Sequence, residues 1–266
     1  MTSEVLTSSP RRVLRRRAVW IVVIAIVVLA AVALVIIQSS ANASAARLDP
    51  TNPGPGGSRA LAQVLEQHGV TVVPTDSLEA TRAKVRDPSD TTILVFDPNA
   101  LMTPEQRTAL LGFGTDVVAV EPGLLALTEI APGVDLAGQR SSTYSSDCDV
   151  AAVQKAGTVT GSGLGYRIDS LDTQTTACFT SKGVSGLVQQ RDKSRSITVL
   201  GLGSTLENGT IAGRGDAALA LNLLGSHHTL VWYIAGFADL QGGSGKTLAE
   251  LTPNWVTPLL VLLAIA

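Results

Sequence analysis

The chain has few of the residues on which metal sites and nucleophilic catalysis depend. Its 266 residues include two cysteines and three histidines, too few and too widely spread for a metal-ligand set. The sequence has no Gly-x-Ser-x-Gly motif, and neither cysteine lies at a predicted strand-to-helix turn with a histidine partner. Aromatic residues make up only 4% of the chain, which favours a close-packed α/β core over a sugar-binding surface. We therefore expect no catalytic group and no cofactor.

Basic residues are scarce beyond the N-terminus. The whole chain has a formal net charge of −2, and its first 17 residues, with five arginines and Glu4, carry +4. The remainder therefore has a net charge of about −6, which argues against binding of nucleic acid or of an anionic membrane surface.

An apolar run follows the arginine cluster directly. Residues 18–37 contain no charged side chain, and 20 helical residues span about 30 Å, the thickness of a bilayer core. The positive-inside rule places residues 1–17 in the cytoplasm. The pattern predicts a transmembrane helix over 18–37, in the cell membrane, with an extracytoplasmic main domain.

A cleaved signal peptide is the alternative. Ala43-Ser44-Ala45 fits a small-residue cleavage site, and Arg11-Arg12 resembles part of a twin-arginine signal. The apolar run is longer than the roughly 7–15 residues of a signal core. This length favours an uncleaved anchor.

A second apolar segment occupies residues 255–266. It is too short to span a bilayer, so we interpret it as the start of a second transmembrane helix in a truncated chain, with a short apolar tail as the alternative. Residues 239–254 before it are predicted to be a juxtamembrane linker. They include a Gly-Gly-Ser-Gly-Lys-Thr sequence, but Leu240 stands where a phosphate-binding loop needs its first glycine.

The central region has the pattern of one α/β domain. Residues 38–57 are rich in Ser, Ala, Asn, Pro and Gly and predict a linker. From residue 58 to 238, short apolar strands alternate with amphipathic helices, which is typical of parallel strands with helices on both faces. We expect an open, mostly parallel sheet in a three-layer, flavodoxin-like or class I amidotransferase-like fold, flanked by the transmembrane helices.

Residues from about 131 to 195 interrupt this alternation. They are polar, and they include stretches that alternate like strands, so we expect a β-rich insertion. Cys148 and Cys178 both lie here, in a compartment that permits a disulfide. A bridge between them would hold the insertion together, and two unrelated thiols are the alternative.

Three carboxylates follow predicted strands. Asp76, Asp97 and Glu121 should project from the carboxyl edge of one parallel sheet, where open α/β sheets bind ligands. Together they could hold a divalent cation or act as an acid–base pair. The alternative is structural, since such residues often cap helices or shape turns, and Pro98 and Pro122 favour it.

Two segments resemble a known family. They are DPTNPGPGGSRALAQVLEQHGVTV and LENGTIAGRGDAALALNLLG, the second followed by LVWY, and they resemble domain of unknown function 4350 of bacterial membrane proteins. Members usually show Gly-Asn before the alanine-rich helix, where this chain has Gly215-Asp216. The resemblance implies an N-terminal anchor, an external amidotransferase-like domain without its catalytic cysteine, a second membrane helix and a cytoplasmic tail. It also implies, as partners, a MoxR-type ATPase or von Willebrand-type membrane proteins.

Two functional hypotheses follow. The first is a non-catalytic, membrane-anchored domain that serves as an accessory or partner-binding component of a membrane assembly. The second is a cell-envelope hydrolase that uses Asp76, Asp97 and Glu121, with or without a divalent metal.

Overall fold

The structure is a computed structural model that describes Val28 and residues 46–169, 174–192 and 195–240. The predicted tail (1–17), the second apolar segment (255–266) and the Gly-Gly-Ser-Gly-Lys-Thr sequence lie outside the described residues, as does the predicted anchor (18–37) apart from Val28. Among the helices that the structure describes, none is long and apolar enough to cross a membrane.

Nine strands and seven α-helices make up the described domain. The helices are α1 (Arg59–Gln67), α2 (Leu78–Lys84), α3 (Pro104–Leu111), α4 (Leu124–Ile130), α5 (Ala151–Ala156), α6 (Asp216–Leu224) and α7 (Phe237–Leu240). The strands are β1 (Thr71–Thr75), β2 (Thr91–Phe96), β3 (Asp116–Val120), β4 (Val134–Ser145), β5 (Thr158–Ile168), β6 (Thr175–Ser181), β7 (Val184–Asp192), β8 (Arg195–Leu200) and β9 (Thr229–Ile234).

All nine strands belong to one mixed sheet. Its order is β1-β9-β2-β3-β8-β7-β5-β4, and β6 pairs with β7. The pairs β1–β9, β9–β2, β2–β3 and β3–β8 are parallel. The pairs β8–β7, β7–β6, β7–β5 and β5–β4 are antiparallel. The expectation of a mostly parallel sheet is therefore wrong: strands β4 to β7 of the predicted insertion hydrogen-bond onto β8 and extend the same sheet.

Helices cover both faces of the sheet. Alternate strand residues such as Leu94 and Trp232 pack with α1, α5 and α6 on one face. Their neighbours Ile93 and Val231 pack with α3 and α4 on the other. All six residues of β2 are buried, as expected of a central strand covered on both faces. The predicted α/β class with helices on both faces is confirmed.

Local signals set several helix ends. Thr103 and Gln106 form a reciprocal capping box at α3, with Pro104 as its first residue. Ser77 caps α2 by accepting a hydrogen bond from the Ala80 amide. These short caps position the turns that follow β1 and β2.

Residues 47–57, assigned to the linker by composition, belong to the folded domain. Leu48 is fully buried in the core, and its amide donates to the Gly56 carbonyl. Asp239, assigned to the second linker, is also buried, in α7.

Candidate functional site

The predicted carboxylates follow β1, β2 and β3 at the carboxyl edge of the parallel strands. Asp97 is used to shape the loop after β2. Its two carboxylate oxygens accept hydrogen bonds from the amides of Leu101, at 2.8 Å, and Met102, at 3.0 Å. This is the structural role that the following residue, Pro98, indicated for Asp97 in the sequence.

Asp76 is exposed, and its backbone lies against Gly236, just beyond the end of β9. Burial raises the pKa of the Tyr233 hydroxyl, and the charge of Asp239 adds to this effect. The charges of Asp97 and Asp76 make smaller contributions in the same direction. The buried Asp239 carboxylate accepts from the amides of Leu78, at 2.9 Å, and Gly236, at 3.1 Å. Asp239 thus joins the start of α2 to the end of β9.

Glu121 lies apart from these two, at the turn between β3 and α4. Its φ of 48° is rare for a non-glycine residue. Such strained strand–turn–helix positions are where α/β hydrolases hold a nucleophile. Here the side chain is bound instead: Arg47 donates to both carboxylate oxygens, at 2.5 and 3.0 Å. The Gly203 amide adds a third donor at 3.2 Å.

Arg47 is shared between two carboxylates. Its Nε donates to Glu207 at 2.7 Å, and its guanidinium lies 5.6 Å from the centre of the Phe96 ring. The hydrogen bond with Glu121 is the largest cause that raises the pKa of Arg47 above its ordinary value. One guanidinium thus binds two carboxylates through charge-assisted hydrogen bonds. Because the guanidinium is planar, these bonds fix the orientation of both carboxylates.

Two glycines make room for the Glu121 carboxylate. A Cβ added at Gly163 would lie 2.3 Å from Glu121 Oε1, and one at Gly203 would lie 2.4 Å from the same atom. Any larger residue at either position must displace Glu121. Gly163 also has a φ of 148°.

A cleft of about 440 Å³ opens beside this ion pair. It lies where the parallel strands meet the antiparallel ones, near the bulge in β4 between Leu136 and Gln139. Bulges occur preferentially next to binding sites. The lining is mostly polar and comprises Arg47, Glu121, Gln139, Arg140, Ser141, Ser162, Gly163 and Leu164.

The two segments that carried the family resemblance bind each other next to Arg47. We call residues 49–60 and 204–209 together the clasp. The Asn208 side chain donates to the carbonyls of Asn52, at 2.9 Å, and Gly54, at 2.7 Å, and accepts from the Ala60 amide at 2.9 Å. The buried Ser58 hydroxyl donates to the Leu206 carbonyl at 2.8 Å. The motifs are therefore two halves of one structural unit.

The three predicted carboxylates do not form one site. Asp76 and Asp97 lie on either side of β9, while Glu121 lines the cleft. In the part of the chain that the structure describes, no group of three or more His, Cys, Asp or Glu residues could hold a metal ion.

Sequence reasoning missed Arg47, Glu207 and Asp239. One signal was available for Arg47, because it is the single basic residue between Arg17 and Arg59. A lone basic residue in an apparent linker was a candidate for an ion pair. Glu207 and Asp239 carried no comparable pattern.

Cys148 and Cys178 form a disulfide with a Cα–Cα distance of 5.4 Å. The neighbouring Asp147 carboxylate accepts from the amides of Phe179, at 2.5 Å, and Thr180, at 2.7 Å. Phe179 has a φ of 54°. The disulfide and Asp147 together attach the loop after β4 to β6, and the predicted bridge is present.

Comparison with known proteins identifies the family. The family described as "Domain of unknown function (DUF4350)" matches residues 50–224, and the chain belongs to it, which confirms the resemblance. An uncharacterised membrane protein of Mycobacterium tuberculosis is 30% identical over 224 residues, which cover 80% of this chain and 57% of the relative. The chain thus spans little more than half the length of that relative. No solved structure matches the chain.

Proposed function

We propose that this chain is a membrane-anchored, extracytoplasmic and non-catalytic domain that serves as an accessory, partner-binding component of a membrane assembly. The arginine cluster and the uncharged run over residues 18–37 support the anchoring and its orientation. The similar mycobacterial protein carries the name of a membrane protein. We also propose that the parallel half of the sheet is the flavodoxin-like or class I amidotransferase-like part.

The non-catalytic proposal depends on the hydrogen bonding of the Glu121 carboxylate. A nucleophile or general base needs an oxygen that can reach a substrate. Both oxygens of Glu121 instead accept hydrogen bonds from Arg47. The strained strand–turn–helix position of Glu121 thus holds an ion pair that attaches the segment around Arg47 to the sheet.

The cleft beside Arg47 is the binding site in this proposal. Its serine, glutamine and arginine side chains suit a polar segment of a partner more than an apolar one. A MoxR-type ATPase and von Willebrand-type membrane proteins, which the family resemblance implies, are the candidate members of the assembly.

In-cell crosslinking of the full-length protein, followed by mass spectrometry of the solubilised complexes, tests this proposal. Ser162→Trp would fill the cleft, and Ser89→Trp, at the opposite edge of the sheet, is the matched control. We expect a reproducible partner with the wild type and Ser89→Trp, and its loss with Ser162→Trp. A partner retained by Ser162→Trp would exclude the cleft, and no partner above background would contradict the proposal.

One observation favours the alternative, a cell-envelope hydrolase built on Asp76, Asp97 and Glu121. Glu121 has strained backbone in a strand–turn–helix setting. Assays of the purified protein with ester, amide and glycan substrates decide between the two. Turnover that Glu121→Gln abolishes would replace the accessory function with the hydrolase.

A further inference from the structure

Among residues 46–169, 174–192 and 195–240, the exposed large apolar side chains lie at one edge of the sheet. Of the residues described from Ala46 to Leu240, four such side chains are exposed: Leu124 (61%), Leu125 (69%), Phe237 (79%) and Leu240 (57%). Leu124 and Leu125 begin α4, just beyond the carboxyl end of β3. Phe237 and Leu240 lie in α7, just beyond the carboxyl end of β9.

These four residues are near one another in the fold. Strands β9 and β3 are separated only by β2, so their ends lie about 10 Å apart. Helix α3 bridges α4 and α7. It packs against α4, and its Gln106 side chain donates to the Asp239 carbonyl in α7 at 2.8 Å. We call these four residues the apolar edge. Scattered apolar residues need no explanation, but a confined group marks an interaction surface.

Both ends of the described domain leave from this edge. Arg47 is bound to Glu121, which follows β3, and Leu240 ends the helix that follows β9. Residues 38–46 are the nine residues between Arg47 and the apolar run that ends at Ile37. Even fully extended, nine residues reach about 30 Å. If residues 18–37 are embedded in a bilayer, Arg47 stays within about 30 Å of the lipid surface, and Leu124 follows its partner Glu121 by three residues.

We propose that the apolar edge rests on the bilayer surface, with Leu124, Leu125, Phe237 and Leu240 in the interfacial region. This inference depends on the anchoring in the proposed function. Leucine and phenylalanine are the side chains that interfacial helices insert, and tethering raises the local concentration enough for a weak contact to persist. The exposed acidic residues Asp76 and Glu105 lie at the same edge. The contact therefore depends on apolar burial and needs no anionic lipid.

Photocrosslinking of the full chain in phosphatidylcholine nanodiscs tests this placement. A benzophenone amino acid replaces Phe237 in one variant and Leu124 in another. The control replaces His228, whose exposed side chain precedes the opposite end of β9. We expect several-fold more lipid adduct at positions 237 and 124 than at 228, unchanged by high salt.

The outcomes separate this inference from the function on which it rests. Resistance of the protein to carbonate extraction from membranes reports the anchoring by itself. If the protein is anchored but shows no excess of lipid adduct, or shows protein adducts at positions 237 and 124, the placement of the apolar edge on the bilayer is overturned and the anchoring is not. A protein extracted by carbonate would overturn both proposals.

Discussion

Arg47 donates two hydrogen bonds to Glu121 across 74 residues of sequence, at 2.5 and 3.0 Å. The pair joins the first residues of the domain to the turn after β3. The Glu121 side chain is 11% exposed and that of Arg47 is 40% exposed, so the carboxylate is largely shielded and the guanidinium is partly solvated.

We expect Glu121→Gln to destabilise the domain by about 1–2 kcal/mol. The glutamine amide keeps one acceptor oxygen, so one of the two hydrogen bonds from Arg47 is lost and the other loses its charge assistance, while solvent at Arg47 limits the cost. Thermal unfolding followed by near-UV circular dichroism measures the change. Asp192→Asn removes an exposed ion pair with Arg195 and should cost less than about 0.5 kcal/mol. Equal losses in the two variants would contradict a specific role for the Glu121 pair.

Asn208→Ala should be more costly, at about 2–4 kcal/mol, because it removes three hydrogen bonds to the backbone of the clasp, including the one to the Ala60 amide. Chemical denaturation measures the free energy of unfolding. Asn222→Ala is the control, since Asn222 bonds only its own helix and the Lys155 side chain. If both alanine variants were equally stable, the clasp would not hold the segment around Asn52.

Gly203→Ala should displace the Glu121 carboxylate, since the new Cβ would lie 2.4 Å from Glu121 Oε1. Overpacking of this kind costs about 1–3 kcal/mol. Gly56→Ala is the matched control, because its Cβ would have no neighbour within 4 Å. Melting temperatures of the two variants check the prediction, and a Gly203→Ala protein as stable as Gly56→Ala would refute it.

Removal of the disulfide by the double change Cys148→Ser and Cys178→Ser should cost about 3–4 kcal/mol. The bridge closes a loop with a sequence separation of 30, and loop entropy sets this magnitude. Denaturation with and without a reducing agent provides the measurement. In the double variant the reducing agent should have no effect; a wild-type protein equally insensitive to it would contradict the prediction.

Asp216→Asn should stabilise the domain at neutral pH. Burial raises the pKa of Asp216, so ionisation costs more in the folded state than in the unfolded state. The wild type should therefore gain stability as the pH falls through the folded-state pKa of Asp216, and the advantage of the Asp216→Asn variant should shrink over that range. Melting temperatures between pH 7 and pH 4 test this. The asparagine Oδ1 can keep the hydrogen bond from the Thr160 amide, and an advantage that grew on acidification would contradict the sign.

Local signals predicted the parallel half of the fold well. The alternation of short apolar strands with amphipathic helices predicted this half, and the capping box of Thr103 and Gln106 at α3 and the fully buried β2 are local features of that kind. The Asp216 side chain does not cap α6 but accepts a hydrogen bond from the Thr160 amide of β5. Caps and apolar runs act within a few residues, so sequence reasoning finds them.

Long-range partners were not predictable in the same way. Arg47 meets Glu207 160 residues later, and composition alone assigned Arg47 to a linker. The β-rich character of residues 131–195 was visible from their alternation, but the pairing of β7 with β8 depends on register. For the site, sequence reasoning found Glu121 at its strand end and missed the cation that binds it.

The position of β9 between β1 and β2 has a kinetic consequence. During synthesis, β1 and β2 emerge first, and their facing edges stay unpaired until residues 229–234 arrive. Open strand edges invite wrong pairing, and contacts this distant in sequence form slowly. The nascent chain therefore cannot complete the pairing of β1 and β2 until residue 234 has been synthesised.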